Sequence, residues 1–146
     1  MTKSSHYDII KTQIKLGVEI VQYIGKIERS VIENEFGQLH TSDVVLTDER
    51  KQHIQQRHPE DYMFFEKYAA DAVNSPDYIL KDSKNKNTIL MIKHIAETNI
   101  NVVIRLAVAA ENPEFKNSVM TFYRIRDKNV KKLIKKNKCI DNKEYL

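Results

Sequence analysis

The second half of the chain constrains the fold most. From Ser75-Pro76 onward, four segments rich in β-branched and aromatic residues follow at short intervals: 78–80, 88–95, 100–108 and 118–126. Segments of this kind bounded by turn residues predict strands. The link Ala96-Glu-Thr-Asn99 is short enough for a hairpin, and 111–117, which contains Pro113, makes a longer turn. A meander built this way needs helices to cover at least one face, and the first half supplies them.

Residues 28–36 place Val31, Ile32 and Phe36 near helical spacing and stop at Gly37. Thr47-Asp-Glu-Arg50 has the form of a helix start: Thr47 can cap backbone amides, and Asp48 and Glu49 suit the positive end of the helix dipole. That helix should end before Pro59, because a residue preceding proline avoids the α region. A second helix is predicted over 59–73, with Tyr62, Phe65, Ala69, Ala72 and Val73 as its apolar face. Upstream, 18–24 alternates like a strand, although the Ile9/Ile14 spacing could carry a helix into it, and 44–46 is a short β-prone run. Residues 127–138 return to helix, with Val130, Leu133 and Ile134 as an inner stripe. The expected fold is α+β: an N-terminal strand and helices packed on an antiparallel meander of about four strands, with a C-terminal helix. The 146 residues suit one domain, with 1–17 read as an N-terminal extension and 139–146 as a tail.

Composition removes several functions. The single cysteine, Cys139, allows neither an intrachain disulfide nor a cysteine zinc site and suits a reducing compartment. Gly17, Gly25 and Gly37 are too scattered for a phosphate-cradling glycine loop, and no cofactor is called for. Lys11, Lys15 and Glu19 interrupt every candidate signal segment, and the longest apolar stretch, 102–110, contains Arg105 and is too short for a bilayer. These features point to the cytoplasm and away from membranes. The formal charge of +4 resides entirely in residues 127–146, which carry seven lysines against three acids. Lys128, Lys131, Lys132 and Lys135 of that run form a solvated face suited to nucleic acid. Its narrow, aromatic-free apolar stripe disfavours membrane insertion.

Local charge is more informative. If 88–95 and 100–108 form the hairpin, Ile89, Met91 and Lys93 share one face with Ile100, Val102, Ile104, Leu106 and Val108, and Leu90, Ile92, His94, Asn101, Val103, Arg105 and Ala107 share the other. In the last strand one register sets Arg124 beside Val103 and Arg105, whereas a slip of one residue sets Thr121 and Tyr123 there. A mid-sheet arginine is either a solvated or ion-paired group or part of an anion site, because the guanidinium fork holds phosphate through two parallel bonds. On the helix beginning near Asp48, Arg50, His53 and Arg57 fall on one face, His58 follows, and Ile54 is the only large apolar residue between them. Imidazole suits proton transfer near neutral pH, and the arginines suit an adjacent anion; the plainer alternative is a charged surface helix. A metal site is disfavoured, since His53 and His58 are five residues apart with Pro59 following, and no H-E-x-x-H occurs.

The segment Val45-Leu-Thr-Asp-Glu-Arg-Lys-Gln-His-Ile-Gln-Gln-Arg-His-Pro-Glu-Asp-Tyr62, with Asn74-Ser-Pro-Asp-Tyr-Ile-Leu80 and Asn117-Ser-Val-Met-Thr-Phe-Tyr-Arg-Ile-Arg126, resembles the phage- and mobile-element-associated branch of the barnase/EndoU/colicin/RelE-like nuclease superfamily over about residues 18–138. The resemblance implies a metal-independent endoribonuclease that activates the ribose 2′-hydroxyl and forms a 2′,3′-cyclic phosphate, in a toxin or mobile-element effector. Carried onto this chain, it makes His53 the leading acid/base candidate and His58 the second. Arg57, Arg105 and Arg124 would hold phosphate, while Thr121 and Tyr123 would line the scissile site. Bases would stack on Tyr123 or Phe115, and Arg50, Lys128, Lys131, Lys132 and Lys135 would flank the RNA backbone. The implied partners are RNA, tRNA or ribosome-bound RNA included, and an acidic immunity or antitoxin protein. The central strands lack the carboxylate that barnase itself uses, so a glutamate base is not implied. The alternatives are an RNA- or ribosome-binding module without catalysis, or a protein-interaction domain, on the same fold.

Overall fold

The computed structural model describes residues 21–57, 59–109 and 116–143. Seven strands form one sheet: β1 (Val21–Lys26), β2 (Asp43–Thr47), β3 (Tyr78–Lys81), β4 (Thr88–Ile95), β5 (Thr98–Arg105), β6 (Asn117–Ile125) and β7 (Lys138–Asn142). Among the described residues four helices accompany it: α1 (Arg29–Phe36), α2 (Asp48–Arg57), α3 (Pro59–Asn74) and α4 (Asp127–Lys136). The strand order is β1-β2-β6-β5-β4-β3-β7. Every neighbouring pair is antiparallel except β2 and β6, which run parallel. The α+β class expected from the sequence is what forms, and β3 to β6 lie side by side antiparallel in chain order, but further strands make the sheet larger and mixed. Strands β1 and β2 extend it at one edge. At the other, residues 138–142, read as the end of a helix and a tail, pair with β3 as β7.

The helices begin and end where local chemistry directs. Gly37 closes α1 at φ 89°, its N–H donating to Glu33 O at 2.9 Å, in a backbone conformation that glycine adopts without strain. At the start of α2 the Arg50 N–H donates to Thr47 Oγ1 at 3.2 Å, and Arg57 is its last residue before Pro59. The buried residues of α3 are Tyr62, Phe65, Ala69, Ala72 and Val73, the face expected from helical spacing, while α2 buries only Ile54.

Packing divides the sheet into two faces. Helices α2 and α3 cover the first, where Ile54, Phe65 and Val73 join Leu46, Ile79, Met91, Val102, Ile104 and Phe122 in the main core. On the second face α4 lays Val130, Leu133 and Ile134 against Leu80, Leu90, Ile92 and Val103. The β4–β5 turn is tighter than the sequence suggested: Ile95 pairs with Thr98, leaving only Ala96 and Glu97 between, with Ala96 at φ 41°. Side-chain alternation is unchanged, so Ile89, Met91 and Lys93 do share a face with Ile100, Val102 and Ile104.

The register of β6 decides the rest. Val103 pairs with Thr121 but Ile104 pairs with Val119, so Met120 is the extra residue of a bulge. Beyond it Phe122 and Arg124 point to the α2/α3 side with Val102 and Ile100, and Thr121 and Tyr123 point to the α4 side with Val103 and Asn101. Asn117 anchors this register. It is fully buried; its Oδ1 accepts from Ala107 N–H at 2.9 Å and its Nδ2 donates to Thr41 O at 2.8 Å and Asp43 O at 2.9 Å. These bonds join β6 to the approach of β2, where the parallel ladder has only two residue pairs. Asn117→Ala would strand three backbone groups and is expected to cost about 3 kcal/mol, since each unpaired buried group carries a penalty of roughly 1–3 kcal/mol. Urea denaturation checks this, and a loss below about 1 kcal/mol would contradict the anchoring role.

Candidate active site

The second sheet face is only partly covered, and the uncovered part is a groove of about 650 Å³. Its floor comes from β5 and β6: Asn101, Val103, Arg105, Thr121 and Tyr123. One wall is the end of α4, with Leu133, Lys136 and Asn137, and the rim is the β3–β4 loop from Asp82 to Lys86.

The loop is held in shape by its own side chains. Asp82 accepts from Lys84 N–H and from Asn85 Nδ2, both at 2.9 Å. Thr88 Oγ1 donates to Lys86 O at 2.9 Å. Ser83 N–H donates to Asn137 Oδ1 at 2.9 Å, while Asn137 Nδ2 returns to Leu133 O at 2.9 Å, so rim and wall are one hydrogen-bonded unit. Among the described residues the groove gathers Lys84, Lys86, Arg105 and Lys136 with one lining carboxylate, Asp82, whose oxygens serve the loop. Positive potential in a concave site concentrates anions. Tyr123, 52% exposed, stands at the groove as an available aromatic surface.

The sequence-expected site residues separate into two layers. Arg105, Thr121 and Tyr123 come together in the groove. Arg124 belongs to the other face: its Nε lies 3.2 Å from Asp61 Oδ1, and its guanidinium carbon sits 4.4 Å from the Phe64 ring centre. His53 and Arg57 are exposed on α2, whose Ile54 packs into the core beneath that same face, and Arg50 is on the same helix. His58 and Phe115 lie outside the described residues. Lys128, Lys131, Lys132 and Lys135 are exposed along α4, on the groove's side of the sheet. Among the described residues no three His, Cys, Asp or Glu side chains gather as metal ligands, and no helix is long and apolar enough to cross a membrane.

Sequence alone assigns no site role to Lys84, Lys86, Asn101 or Asn137, and shows Lys136 only as one of the C-terminal lysines. Asn101 carried a signal, a polar residue within the apolar run Ile100–Ile104 of a buried strand; the loop lysines carried none, because nothing local shows a loop folding over a sheet face. A second polar cluster occupies the far end of β5 on this face. His94 Nδ1 lies 3.0 Å from Asn99 Oδ1 and 4.0 Å from Asp127 Oδ1, and Asn99 Nδ2 donates to Asp127 Oδ1 at 2.8 Å and to Ile125 O at 3.0 Å. It ties the β4–β5 hairpin to the first turn of α4.

The profile described as phage-Barnase-EndoU-ColicinE5/D-RelE like nuclease3 matches residues 22–132. The chain belongs to that nuclease family. No curated protein and no solved structure matches it. The matched span of this nuclease-family chain includes the groove floor and the loop rim and ends within α4, so Lys136, Asn137 and β7 lie beyond it.

Strand β7 continues directly from that wall and is clamped by charge. Glu35 of α1 receives Lys138 Nζ at 2.7 Å and Lys81 Nζ at 3.1 Å. The Lys138 hydrogen bond first, and the Lys81 one next, hold the Glu35 carboxyl below its usual range. A depressed folded-state value means that the clamp's contribution is present above the ordinary glutamate range and is lost as pH falls through the lowered value. Glu35→Gln is therefore expected to speed amide exchange of Ile140 and Asp141 at neutral pH, where wild type loses that protection only in acid. Equal exchange in the two proteins at neutral pH would contradict the clamp.

Proposed function

We propose that the chain is a metal-independent endoribonuclease whose active site is the α4-side groove. The observation that carries this reading is the meeting of Arg105, Thr121 and Tyr123 with Lys84, Lys86 and Lys136 around one concave surface of a nuclease-family domain. RNA phosphate is the substrate group this chemistry fits, because guanidinium and ammonium donors match its charge and geometry.

In the proposed reaction the ribose 2′-oxygen attacks the adjacent phosphorus and the bond from phosphorus to the 5′-oxygen breaks. The 2′-hydroxyl proton leaves with a base, and the 5′-oxygen takes one up, giving a 2′,3′-cyclic phosphate and a 5′-hydroxyl end. Arg105 faces the extra negative charge that builds on the phosphoryl oxygens, where preorganised donors act most strongly. Lys84 and Lys86 hold the neighbouring phosphates. Thr121 lines the scissile bond and Tyr123 lies farther along the groove; the Lys136 ammonium supplies the proton that the 5′-oxygen takes up, and the 2′-hydroxyl proton passes to solvent water. The exposed α4 lysines, Lys128, Lys131, Lys132 and Lys135, extend the cationic track along the strand's path, so affinity should fall steeply with salt. An acidic immunity or antitoxin protein would bind the same cations and block the groove. A toxin or mobile-element effector acting in the cytoplasm, on tRNA or ribosome-bound RNA, is the setting this chemistry fits.

One observation favours a second site. Arg124 is held by Asp61 in the first turn of α3, and His53 and Arg57 are exposed on the adjoining α2, so the three lie on the helical side of the sheet. Mutants separate the two. In EDTA, Arg105→Ala should slow RNA cleavage about 100-fold or more, the usual cost of removing one transition-state donor, while His53→Ala stays within about threefold of wild type. The reverse pattern, in variants with unchanged circular dichroism, would move the site to α2; RNA binding without any cleavage would make the chain a binding module.

A further inference from the structure

Asn101 stands out within the groove. It belongs to the floor yet is only 2% exposed, and its Oδ1 is buried with no hydrogen-bond partner. Every other buried polar side chain of the described sheet is in use: Asn117 makes three bonds, Asn99 bonds Ile125 and Asp127, and Thr88 bonds Lys86. Buried polar groups are normally satisfied, and an apolar residue would fit a strand flanked by Ile100 and Val102 at lower cost. The side chain directly opposite on β6 is Tyr123, so the two share the groove face at cross-strand distance. Tyr123 offers a half-exposed ring, and Asn101 offers an amide that presents a donor and an acceptor together and exchanges them by a half-turn of its terminal torsion.

We infer that Asn101 and Tyr123 form a base-reading subsite: Tyr123 stacks one unpaired RNA base and the Asn101 amide pairs with that base's polar edge. The inference rests on the proposed nuclease groove and assigns its sequence preference. Single-stranded RNA is read through stacking on aromatics combined with hydrogen bonds to exposed base edges, and this pair supplies both. Arg105 lies four residues farther along β5, about 13 Å away at the strand's usual rise, so the base read is not the one directly on the phosphate held by Arg105. Asn101 acts as a specificity-determining residue; it takes no proton.

The test is binding of the full chain to labelled 2′-O-methyl hexanucleotides, which cannot be cleaved, of oligo-A, oligo-C, oligo-U and alternating G-U, all at one salt concentration. Wild type should prefer one of them by about tenfold, the discrimination expected of one amide–base pair. Asn101→Leu should compress that preference to within about twofold while keeping binding to the disfavoured oligonucleotides, and its thermal midpoint should equal or exceed that of wild type, because the unpartnered amide is gone. Tyr123→Ala should weaken all four together. An unchanged preference in folded Asn101→Leu, or none in wild type, would overturn the subsite and leave the groove reading standing. Failure of all four to bind would overturn both.

Discussion

The structure depends on where β6 is pinned. Asn117 has one acceptor and two donor hydrogens, and all three are spent on backbone groups from the end of β5 and the approach to β2. That fixes the start of β6 between an antiparallel and a parallel neighbour, and the bulge at Met120 then sets the parity of everything after it. With this parity Phe122 closes the main core against Phe65, ring centres 4.7 Å apart, and Thr121 and Tyr123 emerge on the opposite face, in the groove that Arg105 also lines. A slip of one residue would bury Tyr123 under α3 and expose Phe122. Core and groove are thus two consequences of one register.

That register also shows what a sequence conveys. The face of α3 was legible residue by residue, because Tyr62, Phe65, Ala69, Ala72 and Val73 repeat with the helical period and nothing competes with it. The two faces of the β4–β5 hairpin were legible too, since shortening the turn by two residues preserves alternation. The parity of β6 was not, because Val119, Met120, Phe122, Tyr123 and Ile125 put apolar groups on both sides and the bulge depends on contacts distant in sequence. Strand β7 has no alternation to betray it; it is recruited by the open edge of β3 and by the Glu35 clamp. For the site, Arg105 and the Thr121/Tyr123 alternative were already in view, whereas the loop and α4 walls are products of tertiary folding.

The distribution of charge makes physical sense of the nuclease family assignment. Arg124 is spent on Asp61 and the Phe64 ring, where it staples β6 to α3. The groove collects cations from a loop, a strand and a helix end, and Asp82 at its rim is turned to the loop's own amides. A domain with a balanced body and a basic last segment can present such a surface without becoming basic throughout, which keeps attraction to nucleic acid directed to one side of the sheet.

If RNA binds as proposed, it lies on the α4 side of the sheet. Amide chemical-shift mapping during titration with an uncleavable 2′-O-methyl RNA tests it most directly, because it locates the ligand without relying on turnover. Shifts concentrated at residues 83–86, 101–105, 121–123 and 133–137, with α2 undisturbed, are expected. Shifts concentrated on residues 49–57, with the groove residues silent, would contradict it.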